Sequence, residues 1–137
     1  MPDITHWESH FIDAYIVKRK RDRYHSFLTG AKHRKKLLDR LNHALDYDPS
    51  HATRLDPSLR GADALIVFLQ QRNVDSNICC LMADGNANDA TAMTLAQAVG
   101  ELLDNHWGAV IICPPKPIAV YKEEDIGDLI LLADDAT

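Results

Sequence analysis

Cationic side chains crowd one short segment of the chain. Residues 18–36, KRKRDRYHSFLTGAKHRKK, contain nine Lys or Arg and two His. Lys and Arg gathered on one accessible surface bind phosphates and carboxylates, although long charged side chains on a helix are also the ordinary covering of a solvated face. The segment and Arg40, one helical turn beyond it, therefore predict a contact surface for an anionic partner, formed by Lys18, Arg19, Lys20, Arg21, Arg23, Lys32, Lys36 and Arg40.

A second polar cluster, DGNANDAT, follows a predicted strand. A loop between the carboxyl end of a strand and the start of a helix is a preferred ligand site in α/β sheets. Its first residues match the start of a calcium loop, but Asp89 and Leu95 stand where an EF-hand needs Gly and Glu. The alternative is a turn whose side chains satisfy their own backbone. The predicted small-ligand site within the loop Asp84–Thr94 consists of Asp84, Asn86, Asn88, Asp89 and Thr91.

Histidines and cysteines offer little chemistry. His6 and His10 have the i, i+4 spacing that can hold a metal on one helical face, but a structural zinc takes four ligands. The three cysteines lie in apolar runs, where thiols pack as small hydrophobic groups. The chain has no G-x-S-x-G, P-loop, Rossmann glycine pattern or C-x-x-C. We therefore nominate no catalytic residue, metal site or cofactor, and favour a protein that is not an enzyme.

Three helices are predicted in the first half. The first, Thr5–Leu28, ends at Thr29-Gly30. Its apolar residues change sides, with Phe11 and Tyr15 on one face and Tyr24 nearly opposite, so the helix either kinks or bridges two apolar surfaces. The second, Lys32–Leu45, has a leucine stripe opposite Lys32, Lys36, Arg40 and His43, and the third covers residues 56–72.

Four strands are predicted in the second half, at residues 77–83, 109–113, 118–121 and 128–134. A helix that starts at a Thr94–Gln97 capping box and ends at Gly108 separates the first two. Strand, helix and strand then form one βαβ unit with parallel strands. We expect an α/β fold, with α+β as the alternative, in which three N-terminal helices pack on a small mixed sheet of about four strands.

Charge is divided unequally along the 137 residues. Residues 1–60 contain 12 Lys and Arg against 8 Asp and Glu, whereas residues 61–137 contain 3 against 12. We expect a single domain, 1–137, with a helical basic half (1–73) and an acidic β-α-β-β-β half (74–137). Either the basic and acidic halves attract each other within the fold, or this division of charge favours a protein partner or self-association over nucleic acid.

Neither a bilayer span nor a signal peptide is visible in the sequence, so we expect a cytoplasmic protein without membrane contact. Four segments, KRKRDRY, HRKKLLDRLNH, ADG and GAVIICPPKPIAVYKEE, are similar to those of a small bacterial protein family of unknown function. The resemblance implies a single-domain bacterial protein and assigns no residue a role. The function that we expect is a non-catalytic interaction or binding module that uses its basic helices. The alternatives are a small-ligand binder or enzyme using the Asp84 loop, and a polyanion binder.

Overall fold

A computed structural model describes residues 4–43, 45–116, 118–123 and 128–134. The described residues form five α-helices and six β-strands, with short 3₁₀ turns at Lys18–Lys20, Pro49–His51 and Pro57–Arg60. The helices are α1 (Ile4–Tyr15), α2 (Arg21–Ser26), α3 (Ala31–His43), α4 (Ala62–Gln70) and α5 (Leu95–Asp104). The strands are β1 (Ala52–Arg54), β2 (Cys79–Ala83), β3 (Thr91–Met93), β4 (Ala109–Cys113), β5 (Ile118–Lys122) and β6 (Leu129–Leu132).

All six strands form one antiparallel sheet in the order β1-β6-β5-β4-β2-β3. Every residue of the four inner strands is buried. Helices α1 to α3 cover one face of the sheet, and α4 and α5 cover the other. Since both faces are covered, these strands are apolar throughout, except for Lys122 at the end of β5, and do not alternate apolar with polar residues. Among the described helices, none is both long and apolar enough to cross a membrane.

The pairing of β2 with β4 corrects the predicted parallel βαβ unit. These strands are antiparallel neighbours, with Leu81 opposite Ile111. The reason is the unpredicted strand β3, which turns back along β2 before α5 begins. The crossover helix therefore joins β3 to β4, which run parallel on either side of β2. The fold is thus α+β, with a six-stranded antiparallel sheet where we expected a mixed sheet of about four strands.

The predicted helix Thr5–Leu28 is broken after Tyr15. Residues 46–48 dock at the break, where Ile16 forms a β-bridge with Tyr47 and the Val17 N–H donates to the Asp46 carbonyl at 2.9 Å. The break re-aims the chain, so that the aromatic residues of α1 and those of α2 pack into one core against the same sheet face. Of the two alternatives for this segment, a kink or a bridge between two apolar surfaces, the kink is therefore correct. The prediction that N-terminal helices pack on the sheet is confirmed.

Most other helix and strand predictions lie within a few residues of the structure. The Thr94–Gln97 capping box is present at the start of α5. That helix ends before Asn105 and not at Gly108, whose backbone lies against Leu41 so closely that an added Cβ would come within 2.2 Å of the Leu41 carbonyl oxygen. The predicted helix 56–72 is divided by Gly61 into a 3₁₀ turn and α4.

Candidate functional site

A cationic groove lies between α3 and the segment that joins α1 to α2. We call it the basic groove; its volume is about 240 Å³. The break after Tyr15 brings the 3₁₀ turn and α2 alongside α3, because α1 to α3 all pack on the same face of the sheet. Two buried aromatic residues, Tyr24 and Phe27, form its wall. Its charged side chains are Lys20, Arg23, Lys36, Asp39, Arg40 and Asp46.

Asp46 is the centre of the hydrogen bonds in the basic groove. Its carboxylate accepts from Lys20 Nζ at 2.8 Å, from the Tyr24 hydroxyl at 2.7 Å and from Arg40 Nη2 at 3.1 Å. Partial burial alone would raise the pKa of Asp46, but these three donors outweigh it and leave the pKa below its ordinary value. Burial also raises the pKa of Tyr24 to about 12. Asp46 therefore stays ionised and fixes Lys20 and Arg40 in the groove.

Two cations of the basic groove are left unpaired. Arg23 and Lys36 are exposed, and neither side chain forms a hydrogen bond or ion pair with another described residue. Asp39 on the rim is likewise exposed and unpaired within the described part of the chain. With four cations and two carboxylates, the groove has a net charge of +2. Arg23 and Lys36 are thus available to an anion from outside.

The other nominated cations lie elsewhere. Lys18 and Arg19 are exposed on the 3₁₀ turn, and Lys32 is exposed on the first turn of α3. Arg21 turns back to donate from Nε to the Ile16 carbonyl at 2.9 Å. Of the eight cations predicted from the sequence, the structure brings four together, namely Lys20, Arg23, Lys36 and Arg40. Asp46, which organises two of them, was not predicted, because nothing in its local sequence shows that it faces these helices.

The aromatic side chains near the basic groove are not free to stack on a ligand. Tyr24 is 1% exposed and Phe27 is 6% exposed. His25 lies on the side of α2 toward α1, where its Nε2 is 2.7 Å from an Asp13 oxygen. The geometry therefore does not support stacking of bases on Tyr24 or His25, which is typical of sites for single-stranded nucleic acid.

The Asp84 loop uses its polar side chains within the chain. Asn86 and Asn88 both donate to the Glu101 carboxylate, at 2.7 and 3.1 Å, and the Thr91 hydroxyl donates to the Asn88 carbonyl at 2.6 Å. Asp84 accepts from Asn42 Nδ2 at 2.6 Å. A shallow depression of about 340 Å³ lies beside the loop, and Glu101 is the one carboxylate among its described lining residues. The loop is therefore a turn whose polar side chains are held by hydrogen bonds to other residues of the chain.

The fifth nominated loop residue, Asp89, belongs to a buried ion cluster, here called the Arg34 cluster, formed by Glu8, Arg34 and Asp89. Arg34 donates to both oxygens of Glu8, at 2.9 and 2.7 Å, and to both oxygens of Asp89, at 2.7 and 2.9 Å. The side chains are 3, 18 and 15% exposed for Glu8, Arg34 and Asp89. Burial raises the pKa of Glu8, although Arg34 works in the opposite direction. The cluster joins α1, α3 and the Asp84 loop.

One contact has the residue types of a catalytic triad. Ser9 Oγ is 3.4 Å from Nδ1 of His25, whose Nε2 meets Asp13. Acyl transfer also needs free N–H donors for the oxyanion, but Ser9 lies inside α1, where the backbone N–H groups are used by the helix. This contact therefore serves to pack α2 on α1.

Thiol and metal chemistry is equally unsupported in the part of the chain that the structure describes. The three cysteines are buried, and Cys79 and Cys113 face each other across β2 and β4 with their Sγ atoms 3.7 Å apart. Burial raises the pKa of Cys80 to about 12, and the neighbouring Cys79 thiol and burial together raise that of Cys113. No group of three or more His, Cys, Asp or Glu among these residues could hold a metal ion.

Comparison with protein-family models, with curated proteins and with solved structures finds no match to this chain. The resemblance to a small bacterial family therefore carries no part of the functional conclusion. The function is therefore inferred from the geometry of the side chains, and the basic groove places two unpaired cations, Arg23 and Lys36, beside two cations that Asp46 holds in position.

Proposed function

We propose that the chain is a non-catalytic binding module that contacts an acidic partner through the basic groove. The observation that carries the proposal is the pair of unpaired cations, Arg23 and Lys36, which lie beside two more cations that Asp46 holds in position. A prearranged group of cations binds an anion at a smaller entropic cost than freely moving side chains do. The acidic partner is a protein, and a second copy of this chain, through its acidic half, is one such partner.

The rest of the described chain supports binding over catalysis. In the Ser9–His25–Asp13 contact, Ser9 lies inside α1, where its own backbone N–H is used by the helix, and the thiols are buried. A small-ligand site in the Asp84 loop stays a prediction, and the hydrogen bonds of the loop favour a structural role for it.

The test is a charge-neutral variant of the groove with a matched control. Arg23→Gln/Lys36→Gln removes the two unpaired cations. Lys18→Gln/Arg19→Gln removes the same residue types, which are also exposed, from outside the groove. Fluorescence anisotropy with a labelled oligo-glutamate peptide should show at least about tenfold weaker binding for the groove variant, equivalent to ~1.4 kcal/mol, and less than threefold weakening for the control.

Self-association is measured separately by sedimentation velocity over a range of protein concentrations. If the acidic partner is a second copy, the groove variant should stay monomeric where the control associates. Equal losses in both double variants would indicate diffuse attraction between opposite charges. No peptide binding and no self-association would contradict the proposed function.

A further inference from the structure

We infer that the anionic group that the basic groove takes is a phosphate monoester, carried on a side chain of the protein partner. This inference rests on the proposed function and names the chemistry of its ligand. The first argument is charge. The groove has a net charge of +2, and a phosphate monoester carries about −1.5 to −2 at neutral pH, whereas a carboxylate carries −1.

Size is the second argument. The basic groove holds about 240 Å³, which is below the range of roughly 300–1,000 Å³ typical of pockets for drug-sized ligands. A groove of this volume favours two negative charges that arrive in one compact group. A phosphate monoester places both charges on three oxygens of one phosphorus atom, while two carboxylates need two separate side chains. The volume thus favours phosphate over an acidic stretch of peptide.

Donor chemistry is the third argument. Arg23 and Arg40 each present a planar fork of N–H donors, which matches the oxygens of a phosphate. Lys36 adds a flexible point charge. A nucleic-acid strand needs more than this, because its binding sites combine a basic track with exposed aromatic platforms. Tyr24 and Phe27 are buried, and Lys18, Arg19 and Lys32 do not line the groove.

The rim carboxylate supplies a variant with the opposite effect. Asp39 is exposed and has no partner among the described residues, so Asp39→Asn raises the charge of the groove from +2 to +3 without removing a described contact. We expect two- to threefold tighter phosphate binding for Asp39→Asn and at least tenfold weaker binding for Arg23→Gln/Lys36→Gln. Opposite shifts from two surface changes are not explained by a change in folding.

Isothermal titration calorimetry with defined probes tests the inference. The probes are a five-residue peptide with one central phosphoserine and neutral flanks, the same peptide with Glu in place of phosphoserine, and glycerol phosphate. We expect the phosphoserine peptide to bind at least tenfold tighter than the Glu peptide. Much weaker binding of glycerol phosphate than of the phosphopeptide would support a phosphorylated protein as the partner; equally tight binding would contradict a protein as the source of the phosphate.

The pH dependence gives an independent readout. The charged groups that face the groove are Lys, Arg and Asp side chains, and no histidine lines it among the described residues. Side chains of these types ordinarily titrate outside pH 5.5–7.5, whereas the second pKa of a phosphate monoester is about 6. Phosphopeptide binding should therefore strengthen several-fold as the pH rises through 6, and Glu peptide binding should not change.

Failure of the inference differs from failure of the proposed function. If the Glu peptide binds as tightly as the phosphopeptide and both depend on Arg23 and Lys36, the phosphate inference is wrong and the binding module stands. If neither peptide nor oligo-glutamate binds and the chain does not self-associate, both are wrong. If the phosphopeptide binds equally well to the groove variant, phosphate binds elsewhere and the inference is overturned.

Discussion

Removing the guanidinium from the Arg34 cluster should destabilise the fold strongly. Arg34→Met keeps most of the side-chain length and deletes the charge, which leaves two carboxylates facing each other without a cation. Glu8 is only 3% exposed, so water cannot replace the lost hydrogen bonds. Breaking a buried pair by removing one partner costs about 3–5 kcal/mol of folding stability. Asp89 should account for the smaller part of this loss, because it is 15% exposed and also accepts from the Ala83 N–H.

A matched control separates this effect from the loss of any ion pair. Arg40→Met removes the same groups from a side chain that is 40% exposed, where the partner Asp46 keeps its bonds from Lys20 and Tyr24. A pair of this kind contributes at most about 1 kcal/mol. Urea titrations of both variants at pH 7, followed by circular dichroism, give the two free energies of unfolding.

The pH dependence has a definite sign. Burial raises the pKa of Glu8 above its ordinary value of 4.5, whereas the Arg34 side chain lowers it. Removing the guanidinium should therefore raise the pKa of Glu8 further. A carboxyl whose pKa is higher in the folded state stabilises the fold below its unfolded pKa, and this contribution is lost as the pH rises through the folded value. The destabilisation by Arg34→Met should therefore be largest at pH 7 and should shrink as the pH falls toward 4.5.

A second substitution tests the proposed cause. Adding Glu8→Leu to Arg34→Met removes the most buried unpaired charge and should restore at least half of the lost stability. The reasoning is refuted if Arg34→Met costs no more than Arg40→Met at pH 7. It is also refuted if the cost is the same at pH 4.5 and pH 7.

Three further substitutions and one thiol-reactivity experiment probe backbone contacts, capping and burial. Gly108→Ala places a Cβ 2.2 Å from the Leu41 carbonyl oxygen, so the melting temperature of this variant should fall by at least about 5 °C. In Gly100→Ala, the added Cβ in α5 meets nothing within 4 Å, so the fold should be more stable by ~0.5–1 kcal/mol. Calorimetry of the two variants measures both effects. Thr94→Ala removes the acceptor of the Gln97 N–H, and urea titration should show a loss of about 1 kcal/mol. The three buried cysteines should not react with an aromatic disulfide reagent in native protein and should all react in guanidinium, as followed by absorbance; rapid reaction in native protein would contradict their burial.

The four inner strands were predictable because each contains a run of at least four consecutive apolar residues bounded by polar or turn residues. Strand β3 was not predictable, because its three residues, Thr91–Met93, are largely exposed and follow a loop rich in Asp and Asn. Its direction is set by tertiary pairing with β2, assisted by the positive φ values of Gly85 and Ala90. Because this short strand was not predicted, β2 and β4 were expected to be parallel, whereas they are antiparallel.

The basic groove shows a similar division between local and tertiary information. The change of apolar face between Tyr15 and Tyr24 indicated a break or a bridge, and the cations between them marked the solvated part of the chain. Which cations converge depends on how α2 meets α3, and this is decided by packing on the sheet. The bonds of Asp46 to Lys20 and Arg40 come from that packing, so local patterns could not reveal them.

The edges of the sheet formed by the described residues bear on aggregation. Apolar segments with high β-propensity, such as those of β2, β4, β5 and β6, add readily to the open edge of another chain. Here they occupy the four inner positions, and the edges are the three-residue strands β1 and β3, with mostly exposed side chains. Detaching β3 would uncover an edge of β2, whose sequence CCLMA is apolar throughout. By fixing Asp89 just before β3, the Arg34 cluster also keeps that edge covered.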